Sequence, residues 1–169
     1  MFQVGNQVLY GMHGVCTIID VEERVIDHKI KQYFVLEPTE LQGTRFYVPT
    51  RNQAALSKMR SIITWEELNS LLSSDEVQRD AWIPDENQRK QYYRDMMTSG
   101  DRVALVRMVH TLHRRKHSQS AAGRKLHLCD ETFLRDAKKL LGSEFALVLD
   151  LPREQVDAYV RTILKDESE

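Results

Sequence analysis

Residues 7–21 read Gln7-Val8-Leu9-Tyr10-Gly11-Met12-His13-Gly14-Val15-Cys16-Thr17-Ile18-Ile19-Asp20-Val21. Two runs of β-branched and aromatic residues, 7–10 and 15–21, flank a glycine-bounded cluster, which is the signature of strand, turn and strand. The pattern repeats outward over 30–36 and 44–48, and the turn-forming groups Gly5-Asn6, Asp27-His28 and Leu41-Gln42-Gly43 separate the runs. No helical period fits this region. The expected arrangement is a small antiparallel β-barrel built from hairpins.

After Pro49 the period changes, and from Thr64 onward apolar residues recur every three or four positions. Thr64-Trp65-Glu66-Glu67 is a capping box, in which hydroxyl and carboxylate each satisfy an orphan N–H, opening a helix to about Leu72. Ser74-Asp75-Glu76 starts a short helix. Pro84-Asp85-Glu86 supplies a first-turn proline and two acids to a helix running to Met97. Gly100 suits the left-handed position past its end, and Asp101 caps the next helix, whose apolar face is Leu105, Met108, Val109 and Leu112. Further helices are expected over 130–149, interrupted near Gly142, and from Pro152 to Leu164. The fold class is therefore α+β, a small antiparallel barrel over 1–60 followed by an all-helical domain over 61–169.

Composition agrees with a folded chain: of 169 residues, 41% are hydrophobic and 29% charged, with 7 Gly and 4 Pro. No apolar run approaches the ~20 residues needed to span a bilayer, and the first five residues lack a signal-peptide pattern. Cys16 and Cys129 stand alone, without CxxC spacing, which suits a reducing compartment. A cytoplasmic protein is expected. The net charge of −1 hides an uneven distribution. Residues 61–86 carry Arg79 against seven acids, a balance of −6, whereas 87–126 carry ten Lys/Arg against Asp95 and Asp101, a balance of +8.

Three histidines, His110, His113 and His117, share one helix at spacings of three and four. Such spacing can ligate a metal, but Arg107, Arg114, Arg115 and Lys116 surround it and would repel a cation, so a solvated basic face is favoured. No HExxH, GxSxG or GxGxxG motif is present, and neither catalysis nor a cofactor is expected. Arg107, His110, Arg114 and His117 fall opposite the apolar stripe of their helix. With Arg89, Lys90 and Arg94 before them, Arg115 and Lys116 beside them, and Arg124-Lys125 after them, they suggest a continuous basic surface for phosphates, against the alternative of simple solvation. Trp65 is expected to pack at a helix entry. Trp82, in a loop ahead of the basic stretch, either anchors that loop or stays exposed to stack on a base.

Val4-Gly5-Asn6-Gln7-Val8-Leu9-Tyr10, His13-Gly14-Val15 and Tyr47-Val48-Pro49-Thr50-Arg51-Asn52 resemble signatures of the CarD/CdnL family of bacterial transcription regulators. Downstream, Ser99-Gly100-Asp101, Arg114-Arg115, and the helix containing Leu140-Leu141 and Glu144-Phe145-Ala146-Leu147 are similar to the helical part of that family, in the same order. The resemblance implies a Tudor-like or SH3-like barrel that binds the RNA polymerase β subunit, and a helical domain touching promoter DNA at the upstream edge of the melted bubble. It implies polymerase contacts at Arg24 and around Tyr47, Val48 and Pro49, with Arg45 replacing an arginine that relatives carry at position 47. It also implies a tryptophan wedge, for which Trp82 is the candidate although the matching position falls four residues later, near Glu86.

The function expected from the sequence is a nucleoid-associated, non-enzymatic regulator of transcription initiation that binds the polymerase β subunit, reads DNA through its backbone and alters open-complex stability. The alternative is a polymerase-binding module whose helical domain engages another protein and not DNA. Neither the direction of regulation nor the oligomeric state follows from the residues.

Overall fold

The computed structural model describes residues 1–164, so the last five positions of the 61–169 domain lie outside the described residues. The chain divides into two compact units, Met1–Ile62 and the residues from Ile63 onward.

In the first unit, β1 (Gln7–Tyr10), β2 (Val15–Ile26), β3 (Lys29–Pro38), β4 (Phe46–Pro49) and β5 (Met59–Ser61) form one antiparallel sheet in the order β4-β3-β2-β1-β5. The expected strands are present; β2 and β3 run longer than their apolar cores, and β5 and the one-turn helix α1 (Gln53–Leu56) carry no recognisable period. Asp27 and His28, at φ 53° and 60°, make the two-residue turn of the β2–β3 hairpin. Both left-handed residues match the right-handed twist of the strands. A bulge at Ile19 interrupts the register, since Ile18 pairs Leu36 and Asp20 pairs Val35. Because strand side chains alternate with period two, the extra residue moves every later side chain of β2 to the other face. Ile18 and Val21 therefore share the core side with Phe34, Leu36 and Val48, and Glu22 and Arg24 turn to the opposite side. Cys16 lies in this core, fully buried, and burial pushes its thiol up to about 11.

The second unit is built from α2 (Trp65–Leu72), α3 (Asp75–Gln78), α4 (Glu86–Ser99), α5 (Arg102–Ala121), α6 (Leu128–Leu149) and α7 (Arg153–Leu164). The local signals hold. The capping box at Thr64 is complete, with Thr64 Oγ1 accepting from Glu67 N and Glu67 Oε2 accepting from Thr64 N. Gly100 is left-handed at φ 65°, and Asp101 accepts from Ala104 N to cap α5. Pro84, expected in the first turn, stands two residues before α4, because Asp85 is the cap, accepting from Gln88 N.

Three expectations are corrected. The first concerns α6, which runs unbroken through Gly142. The second is Trp65, which is 54% exposed rather than packed. The third is the face of α5 carrying Arg107 and Arg114, which is not wholly solvated. His110 is 4% exposed, because α3, α4 and α6 surround the N-terminal half of the helix. The core contains Leu68, Leu72, Tyr93, Leu105, Leu112 and Phe145. Glu144, 1% exposed, pairs with Arg102 and accepts from the Ile63 N–H at 2.8 Å, which ties the start of the unit to α6. Among the described residues no helix is long and apolar enough to cross a membrane.

A second charged node joins α5, α6 and α7. His113 Nε2 and Lys138 Nζ each lie 3.3 Å from Asp157 Oδ1, and Arg161 Nη2 lies 3.2 Å from Oδ2. The hydrogen bond from His113, followed by the charges of Lys138 and Arg161, holds the Asp157 carboxyl well below the usual range. A depressed carboxyl contributes stability that is present above its unfolded pKa of ~3.9 and is lost as pH falls below it. The stability advantage of the parent over Asp157→Asn should therefore be full at pH 6 and shrink steadily towards pH 3. Urea titrations at the two pH values check this, and an advantage independent of pH would refute it.

Candidate functional site

Two surfaces carry the candidate residues. In the first unit, the bulge places Arg24 on the face of Tyr47, and the Arg24 guanidinium carbon sits 3.8 Å from the ring centroid. Arg24 Nη2 also bonds Glu22 Oε2 at 3.2 Å, so its direction is set by a carboxylate on the same strand face and by an aromatic two strands away. Val48 is buried in the core, Pro49 ends β4, and Arg45 stands exposed just before β4. The signal missed by the sequence is the Arg24–Tyr47 stack, which spans 23 positions and depends on the bulge.

In the second unit the basic stretch separates into two sets. Arg94, Arg114, Lys116, Arg124 and Lys125 are exposed, and Arg107 is half-buried, donating to the Tyr92 hydroxyl at 3.2 Å. Lys90 pairs with Glu86 at 2.7 Å, one turn apart, and Lys116 pairs with Glu131 at 2.8 Å. These pairs neutralise acids that would otherwise stand beside the basic side chains.

Arg89 is a correction to the phosphate surface. It is 2% exposed, and its Nε and Nη2 make a bidentate pair with the two oxygens of Asp130, at 2.8 and 2.9 Å, while Nη1 donates to the carbonyls of Ile83 and Pro84. A buried guanidinium needs such a partner, and Asp130, fully buried at the start of α6, supplies it. Arg89 therefore holds the 80–84 loop to α6.

Trp82 belongs to the same assembly. It is half-buried against the core, and the guanidinium carbons of Arg89 and Arg115 lie 4.2 and 4.3 Å from its ring. The loop around it is pinned by a hydrogen bond from Ala81 N to Thr111 Oγ1 at 3.2 Å. Arg115, half-buried, rests its guanidinium on the same ring.

An apolar side chain that projects next to the basic stretch is Leu128, 82% exposed at the first position of α6, after the exposed Arg124, Lys125 and His127. Sequence reasoning passes over it, because it starts this helix at residue 130, two positions later. The available signal is its neighbour: Leu126 is already the buried residue of that turn.

Residues 2–63 match the family model of the CarD-like/TRCF RID domain, and residues 67–161 match that of the CarD C-terminal domain. No curated protein matches the chain significantly. The two matches fall in order on the Tudor-like sheet and the helical unit, and together they cover nearly all of the chain. It belongs to the CarD family, transcription regulators that bind RNA polymerase.

Proposed function

We propose that the protein acts at initiation by binding the polymerase β subunit through the Arg24–Tyr47 face of its first unit and touching promoter DNA, near the upstream edge of the bubble, through its second. The observation that carries the DNA contact is the set of exposed cations Arg94, Arg114, Arg124 and Lys125, together with the pairing of Glu86, Asp130 and Glu131 each to a basic side chain of the same unit. Such a surface reads the phosphate backbone and carries little sequence information. Leu128 is assigned as the apolar side chain that enters the groove, since insertion between bases needs an unpacked hydrophobic group. Trp82 is assigned an anchoring role. Domains 1–60 and 61–169 are in this scheme the polymerase-binding and DNA-contacting parts.

Two experiments test the assignment. Arg24→Glu combined with Arg45→Glu should weaken binding to the β subunit at least tenfold with an unchanged circular dichroism spectrum, because both side chains are exposed. Undiminished binding removes this face. Replacing Arg114, Arg124 and Lys125 by Gln should lower affinity for fork DNA, and the slope of log affinity against log salt should fall by about one for each phosphate that is no longer neutralised. An unaltered slope would reduce these cations to a solvated face.

A further inference from the structure

We propose that the helical unit binds a free phosphate group, inorganic or the end of a small ester, in a recess between the 80–84 loop, the last turns of α5 and the start of α6. The recess has a volume of about 250 Å³, below the roughly 300–1,000 Å³ usual for organic ligands. That size suits a single inorganic group. Trp82, Pro84 and Leu126 form its apolar walls, and Arg115, Gln119 and His127 bring the polar groups that no acid of the chain engages.

The charges of the lining leave one cation over. Asp130 gives both carboxylate oxygens to Arg89, and Glu86 is paired with Lys90 at 2.7 Å, so these four groups cancel in two pairs. Arg115 has no carboxylate partner among the described residues. Its guanidinium rests on the Trp82 ring, 4.3 Å from the centroid, and its Nε is closed off from solvent with no acceptor. Buried donors of this kind are rare, because each gives up its hydration and gains no bond. An oxyanion in the recess supplies the acceptor.

The other donors select the shape of that anion. Stacking on the indole fixes the guanidinium plane, and the edge of a guanidinium carries two parallel N–H groups matched to two oxygens of one carboxylate or phosphate. Gln119 lies one turn further along α5, and His127 stands at the N-cap of α6 without a side-chain capping bond. Neither side chain has a hydrogen-bond partner among the described residues. A planar carboxylate uses both its oxygens on the arginine edge. A tetrahedral phosphate has further oxygens for the Gln119 amide and the His127 imidazole, so the recess favours phosphate. A free group also enters more readily than a link of the DNA backbone, which carries a sugar on either side.

Trp82 reports on the site, and Trp65→Phe, a change at an exposed position, leaves it the only tryptophan of the chain. The test titrates inorganic phosphate into the full chain carrying that substitution, at constant ionic strength, and follows Trp82 fluorescence and the melting temperature. Phosphate should give a saturable one-to-one change and raise the melting temperature. Acetate should bind at least tenfold more weakly, and tetramethylammonium should not bind. Arg115→Gln should weaken phosphate binding at least tenfold. Because Arg115 also packs on Trp82, a second variant at an exposed position, His127→Gln, separates binding from folding: it should weaken phosphate at least threefold at an unchanged melting temperature of the free protein.

Fork DNA distinguishes the source of the phosphate. Arg115→Gln should leave the slope of log affinity for fork DNA against log salt unaltered, whereas the DNA surface proposed above stands or falls with Arg114, Arg124 and Lys125 in a chain that keeps Arg115. Absence of saturable phosphate binding, acetate binding as tight as that of phosphate, or unaltered affinity in both Arg115→Gln and His127→Gln would overturn the proposal. A slope shallower by about one in Arg115→Gln would also overturn it, by giving this guanidinium to the DNA backbone.

Discussion

Arg89→Ala should cost about 3–5 kcal/mol of stability, because it strands the fully buried carboxylate of Asp130 without its bidentate partner. The loss has further parts in the same direction. The carbonyls of Ile83 and Pro84 lose their donor, and the indole of Trp82 loses one of the two guanidinium groups over it. Asp130→Ala leaves the opposite orphan, a buried guanidinium, and should cost a similar amount. The double variant Arg89→Met with Asp130→Leu should recover most of the loss, since a buried ion pair replaced by apolar groups of similar volume is often neutral or stabilising. Urea unfolding of the four proteins gives the comparison. A single-variant loss below about 1 kcal/mol would mean that the pair is solvated and that Arg89 is available to phosphates after all.

Trp82→Ala should lose about 3 kcal/mol, at the lower end of the range for buried aromatic residues because the side chain is only half-buried. Removing the indole opens a void against the core and takes away the surface on which Arg115 packs. Leu128→Ala provides the contrast. That side chain is 82% exposed, so its removal should change stability by less than about 0.5 kcal/mol. The functional effects should be reversed: Leu128→Ala should abolish most of the protein's influence on open-complex lifetime at a melting temperature close to that of the parent. If Trp82→Ala instead leaves stability intact and removes the effect on lifetime, the groove contact belongs to Trp82, and Leu128 is an incidental surface leucine.

Arg89 and Arg94 show where sequence reasoning stops. Both fall in the stretch with a balance of +8, and nothing in their spacing separates them, yet one is 2% exposed and the other lies in solvent. The difference comes from Asp130, 41 positions away, which sequence order presents merely as an acid favoured at the start of a helix. Trp65 shows the same limit as a reversal, and Trp82 shows it at a position where the sequence leaves packing and exposure both open. The tryptophan in a capping box proves exposed, and the loop tryptophan proves to be packed.

By itself the sequence determined what depends on neighbours within a few residues. The division into strands followed by helices, the capping box at Thr64, the left-handed Gly100 and the Asp101 cap all follow from side-chain period, hydroxyl and carboxylate caps and the φ tolerance of glycine. The order of motifs along the chain was enough to indicate the family. Tertiary structure alone decided which charges are available. The bulge at Ile19 sends Arg24 to the face of Tyr47, the packing of α3, α4 and α6 around α5 buries His110, and Asp130 withdraws Arg89 from the surface. Burial and pairing are set by groups that meet across the fold, and local periodicity carries no information about which distant element will cover a given face.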